Sequence, residues 1–155
     1  WNSRVGLTRR LNRMALMHTE SVIQDVDIPA DHAAEFLDFF HHDIGILPIW
    51  VCPVRARNIK QSFPLFPMST NSPYINFGFW DVVRTRRRKP RGHFNRMIED
   101  KVTDFGGIKS LYSDVFFSHR AFWQAYNGPV YRELKTRYDP GGLLKDLYEK
   151  CVLRQ

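Results

Sequence analysis

The sequence predicts an α+β fold of the ferredoxin-like kind, a four-stranded antiparallel sheet with two helices on one face, followed by a helical tail. Three observations point there. Period-two apolar patterns recur in four separate stretches, 3.6-residue stripes fall after the first and third of them, and the resulting order, strand, helix, strand, strand, helix, strand, is the split βαβ plan.

The first strand is expected over Ser21 to Ile28, where Val22, Val26 and Ile28 alternate with Ile23, Asp25 and Asp27 until Pro29 ends the run. Asp31 can cap a helix whose apolar positions Ala33, Phe36, Leu37, Phe40 and Ile44 share one side, with Gly45 as its stop. "LPIWVCPV" reads as the second strand, with Leu47, Ile49 and Val51 opposite Trp50 and Cys52. Residues 56–73 hold Pro64, Pro67 and Pro73 and read as a long loop, because proline cannot donate to a ladder. "YINFGFWDV" is the third strand, with Ile75, Phe77 and Phe79 opposite Tyr74, Asn76, Gly78 and Trp80. Phe94, Met97, Ile98, Val102 and Phe105 stripe the second helix up to Gly106-Gly107, and "IKSLYSD" supplies a short fourth strand. In the tail Ser118 can cap "HRAFWQAY"; Gly128-Pro129 restarts a helix striped by Val130, Tyr131, Leu134 and Tyr138; Leu144, Leu147, Tyr148 and Cys151 form a last apolar group. Residues 1–20 are expected to be a lead-in helix or linker, with the amphipathic pattern over 2–18, and residues 21–155 the domain proper.

Turning each strand's more apolar side to the helices leaves an uncovered face of Asp25, Asp27, Trp50, Cys52, Tyr74, Asn76, Trp80 and Tyr112. Aromatic side chains on an exposed sheet call for a ligand or a partner.

Composition restricts what that partner is. With 155 residues the chain suits one domain, and 43% hydrophobic against 25% charged residues is the balance of an ordinary globule. No uncharged run approaches the ~20 residues of a membrane span, and the start of the chain carries arginines without the apolar block of a signal peptide. Cys52 and Cys151 form no metal or disulfide framework, which suggests a reducing, cytoplasmic setting. Beginning on Trp1, the chain reads as a piece of something longer. The net charge of +7 falls to +1 without Arg84, Arg86, Arg87, Arg88, Lys89 and Arg91, so the charge belongs to a loop that can solvate freely or contact an acidic partner or an anionic membrane surface. Nucleic acid is disfavoured because Asp25 and Asp27 on a central strand would face phosphate. No histidine pair has a metal-ligand spacing, so no metal site is expected.

The blocks "VIQDVDIP", "HHDIGILPIWVCPVR", "YINFGFWD" and "GGIKSLYSDVFFSHRAFWQAYNGPVYRELKTRYDPGGLLKDLYEKC", in that order, resemble the carboxyl-terminal part of the FAD-linked oxidoreductases related to sterol delta-24 reductase, within the vanillyl-alcohol oxidase superfamily. The proline-rich and basic loops depart from that pattern. The resemblance implies a cap domain that lays its sheet over a flavin held mainly by an FAD-binding domain of the same protein, absent from this chain, and shapes a pocket for an apolar, lipid-like substrate. It implies hydride transfer between flavin and a substrate carbon, with a protein acid or base handling the proton. Tyr112 is the first candidate for that acid, since a phenol keeps its proton at neutral pH, and Asp25 the second, if desolvation raises its pKa. Gln24, Asn76 and Lys109 are the candidate cofactor contacts; Trp50, Cys52 and Trp80 the candidate substrate lining. The reading from another class is a stand-alone ferredoxin-like module that binds RNA or an acidic partner through the basic loop.

Overall fold

In the computed structural model, which describes residues 17–154, strands β1 (His18–Pro29), β2 (Ile49–Val54), β3 (Tyr74–Thr85) and β4 (Ile108–Lys109) form one sheet in the order β2-β3-β1-β4, with every neighbouring pair antiparallel. Helix α1 (Ala33–Phe39) runs into a wide turn, Phe40–Ile44, and connects β1 to β2; helix α2 (His93–Asp104) connects β3 to β4. The fold is α+β, as the periodicities predict. The lead-in helix expected over 2–18 lies outside the described residues except for its last two positions, and His18 already opens β1.

Both helices bury their stripes against the same face of the sheet. Val22, Val26 and Ile28 of β1, Phe77, Phe79 and Val83 of β3, Phe36 and Phe40 of the first helical segment, and Ile98 and Val102 of α2 form one core. Phe36 stacks on Phe77 with ring centroids 5.0 Å apart, and Phe40 meets Phe79 at 4.4 Å, within the range in which aromatic pairs attract beyond their buried area. The helix stops behave as the glycines predict. Gly45 adopts φ 69° and its N–H donates to the Phe40 carbonyl; Gly106, at φ 65°, donates to Thr103 while Gly107 donates to Val102, the paired bonds of a Schellman motif.

Several boundaries move. β1 and β3 both run further than expected, because His18↔Thr85, Thr19↔Arg84 and Glu20↔Val83 continue the ladder with polar side chains everywhere but Val83. Arg84 therefore belongs to a strand, and the basic loop begins at Arg86. β4 is two residues long, not seven, and β2 starts at Ile49, leaving Leu47 outside the strand and exposed. Asp31 makes no capping bond and sits in a 3-10 turn, Ala30–His32, ahead of α1.

The tail builds a second core. Helices α3 (His119–Ala125) and α4 (Gly128–Tyr138) are capped by Ser118 and Asn127, whose side chains accept from the Ala121 and Val130 amides. Phe122 of α3 and Tyr126, which caps its end, pack with Ile108, Val115 and Phe117, and Phe66 and Met68 from the proline-rich loop and Tyr148 and Cys151 from the end of the chain pack against them. Tyr138 and Leu144, expected in apolar stripes, are exposed instead.

Candidate functional site

Alternation along paired strands decides which side chains meet on the face away from α1 and α2. Asp25 is opposite Gly78, and Gly78 is opposite Trp50, so these three form one row across β1, β3 and β2; Ile23 opposite Trp80 forms the next row. Trp50 is 58% exposed, Trp80 59%, Ile23 44% and Tyr112 62%, a concentration of apolar surface unusual for an uncovered sheet. A small cleft of about 190 Å³ opens beside them, lined by Ser21, Ile23, Tyr112, Ser113 and Asp114.

Gly78 gives this row its shape. A Cβ at position 78 would overlap Oδ1 of Asp25 and crowd Cβ of Trp50, so the absence of a side chain lets the Asp25 carboxylate lie across the strand. Asp25 also faces the Tyr112 phenol. Partial desolvation, the hydrogen bond to Asp25 and the charge of that carboxylate together push the Tyr112 pKa up to about 12. Burial of the ring is incomplete, so the acidic neighbour is the specific feature of this environment. The two residues singled out as acid candidates, 87 positions apart in sequence, are thus brought together.

One row further along, Asn76 donates from Nδ2 to Oδ1 of Asp27 at 3.2 Å. Asp27 is nearly buried; desolvation raises its pKa, the Asn76 hydrogen bond opposes the rise, and Asp25 adds to it. The uncovered face predicted from the strands is shorter than expected at this end. Ile108, opposite Asp27 in the register, is buried in the tail core, and Tyr74 is buried with its phenol oxygen accepting from the Ser69 amide of the proline-rich loop. Asp27 and Tyr74 are therefore covered by the chain itself, Asn76 and Cys52 are half-buried, and the part open to a ligand is bounded by Ile23, Asp25, Trp50, Gly78, Trp80 and Tyr112.

Two expected cofactor contacts face the other way. Gln24 alternates with Asp25, enters the helix-side core, and donates from Nε2 to Oδ1 of Asn95 at 2.8 Å; its own Oε1 has no partner among the described residues. Lys109 pairs with Val26 in the ladder, which turns its ammonium under the sheet as well. It is fully buried, bonded to Oε1 of Glu99 at 2.6 Å and to the Asp114 carbonyl. Burial pushes Glu99 up and Lys109 down, and their mutual attraction opposes both.

That buried pair nevertheless bears on the open face. Glu99 also accepts from the Phe116 amide, Arg96 donates to the Phe116 carbonyl, and the Tyr126 hydroxyl donates to the Lys109 carbonyl at 2.6 Å. Both flanks of the 110–116 segment are fixed in this way, and Tyr112 sits on the turn between them. Glu99 and Asn95 are functional neighbours that the sequence reading missed. Their signal was their spacing: four apart, they fall inside the apolar stripe of α2, where a polar side chain needs a buried partner.

Six curated proteins match this sequence, all named delta(24)-sterol reductase or a homologue of it. The human protein is 26% identical over 149 residues, which is 96% of this chain. The chain is related to the delta(24)-sterol reductases. The Caenorhabditis elegans homologue is 22% identical over 83% of the chain and the Arabidopsis thaliana protein 21% identical over 86%. The chain spans about 28% of the length of the human sterol reductase and 24% and 26% of the other two. No family model and no solved structure matches. Among the described residues, no helix is long and apolar enough to cross a membrane.

Proposed function

We propose that this chain is the cap, or substrate, domain of an FAD-dependent oxidoreductase that reduces a carbon-carbon double bond in an apolar, sterol-like substrate. The observation that carries this reading is the meeting of Tyr112 and Asp25 on a face walled by Trp50, Trp80 and Ile23. The relationship to sterol reductases supports the substrate class. The FAD-binding domain is the partner this chain requires.

The open part of the face fits a planar ring system. Gly78 keeps the middle of the wall low, with only the Asp25 carboxylate lying across it, and two indoles flank it, an arrangement suited to flat apolar ligands with a few aimed polar groups. Trp50, Trp80 and, from the half-buried row, Asn76 are the residues of this chain that would contact the flavin or the substrate lying on it, with Cys52 at the margin. Bound FAD would supply the hydride delivered to one alkene carbon. Tyr112 supplies the proton to the neighbouring carbon from Oη and, being exposed, regains it from solvent. The raised pKa keeps the phenol protonated throughout the neutral range, and its single Oη proton, drawn toward Asp25 in the free chain, turns from that carboxylate to the substrate carbon for the transfer. Trp50 and Trp80 exclude water from the apolar part of the substrate.

Tyr112→Phe in the full-length enzyme removes one proton and almost no volume. Reoxidation of reduced flavin by a sterol alkene in a single turnover should slow by about 10²-fold or more, with FAD content unchanged. An unaltered rate removes Tyr112 from the chemistry.

A further inference from the structure

We infer that the end of the sheet formed by the start of β1 and the end of β3 is a docking surface for an anionic lipid bilayer. Arg84, Arg86, Arg87, Arg88, Lys89 and Arg91 are all exposed there, and among the described residues none of them is in an ion pair. Residues 1–16, joined to β1 at this same end, contain four arginines and no aspartate or glutamate that could neutralise the loop. Six like charges in eight residues repel one another, and a folded chain that keeps them unpaired is poised to gain from an external anionic surface.

The surroundings of the loop favour lipid over other polyanions. Between the loop and β1 runs a groove of about 560 Å³, lined by Thr19, Ser21, Arg88, Lys89 and Arg91, with room for a phosphate-bearing headgroup. Two carboxylates line it: Glu20 is already held by the Asn95 amide and side chain, and Asp114 is paired with Arg154, so neither is free to neutralise the loop. On β3, Arg84 and the half-buried Val82 carry the edge of the loop onto the upper face, and Trp80 beyond them stays with the wall proposed for flavin and substrate. An extended nucleic acid following the same strip would instead run onto Asp25, whose carboxylate repels phosphodiesters. A headgroup layer need touch only the end that bears the loop.

The test is co-sedimentation of the full chain with vesicles of phosphatidylcholine alone or containing a third phosphatidylserine, without FAD or substrate, so that its outcome is separate from the catalytic reading. Binding should appear only with phosphatidylserine and weaken as salt rises. The fourfold variant Arg86→Gln, Arg87→Gln, Arg88→Gln, Lys89→Gln changes solvent-facing side chains only, and each lost charge should weaken partitioning about 5-fold, for a combined loss on the order of 100-fold or more. Equal binding to both vesicle types, or undiminished binding by the variant, overturns the inference. Tighter binding to a single-stranded RNA oligonucleotide than to the phosphatidylserine vesicles at the same salt also overturns it, and assigns the loop to nucleic acid.

Discussion

The two faces of this sheet treat charge in opposite ways. Beneath it, Gln24 and Lys109 point into a core of phenylalanine, isoleucine and valine, and each meets a partner placed for it on α2: Asn95 for the amide, Glu99 for the ammonium. Above it, Asp25 and Tyr112 meet each other at the edge of solvent, amid indole surface that nothing in the described chain covers. The buried pairs fix where the strands and the 110–116 segment lie. The exposed pair keeps a phenol beside a carboxylate within reach of a ligand. Polar groups of similar chemistry thus serve position on one side and, in our reading, reaction on the other.

Breaking the lower pair should have the largest effect. Glu99→Ala leaves the Lys109 ammonium buried without its carboxylate and frees the Phe116 amide, and loss of one member of a buried pair costs about 3–5 kcal/mol. Denaturant unfolding of Glu99→Ala beside Lys109→Met measures it. Near-neutral values for both would mean that the pair contributes little to holding the 110–116 segment. Asn95→Ala should cost less, about 1–3 kcal/mol, because it strips partners from Gln24 and the Ser21 carbonyl while Glu20 can turn to solvent. Unfolding midpoints at fixed pH give that difference directly.

On the upper face the effects should fall on titration more than on stability. Asp25→Asn removes both the charge and the anionic acceptor next to Tyr112, so the phenol pKa should drop from about 12 toward 10, the remainder reflecting desolvation. Tyr112 is raised in the folded state, so its contribution to stability is fully present below the unfolded value near 10 and is lost as pH rises through about 12. Asp25→Asn should narrow that alkaline window. A spectrophotometric phenol titration, differenced against Tyr112→Phe, reads the shift, and an unchanged titration would show that Asp25 does not engage the hydroxyl.

Much of the architecture was legible because alternation and helical spacing are local. The helix-side core residues Val22, Val26, Phe36, Phe77, Ile98 and Val102 all lie where period two or 3.6 places them. The ends of β1 and β3 were not legible, since polar strand residues held by a partner ladder look like loop when each strand is read alone. Nor could any local pattern show that the tail and the proline-rich loop cover Asp27 and Tyr74, a matter of contacts far apart in sequence. Lys109 was different. Counting back by twos from Tyr112 puts Ser110 and Ile108 on the upper face and Lys109 below, so its burial was implied by the same alternation that placed Tyr112. A lysine forced under a sheet requires an acid, and Glu99 inside the α2 stripe was the one to look for.

The finest separation of the two faces comes from Gly78. A methyl group there meets the terminal oxygen of a flexible side chain, Asp25, and the Cβ of Trp50, at an unexceptional backbone position. Gly78→Ala should therefore leave stability within about 1 kcal/mol, since the carboxylate can rotate toward solvent and alanine lowers the entropy of the unfolded chain. Rotation carries Asp25 away from the phenol, so the Tyr112 pKa should fall in the direction seen for Asp25→Asn but by less, because the charge stays nearby. Lower-face markers should not respond: amide exchange at Phe116, whose N–H is held by Glu99, should match the unsubstituted protein. If that amide loses protection as well, the two faces are coupled through β3 and β1, and the division of labour between them fails.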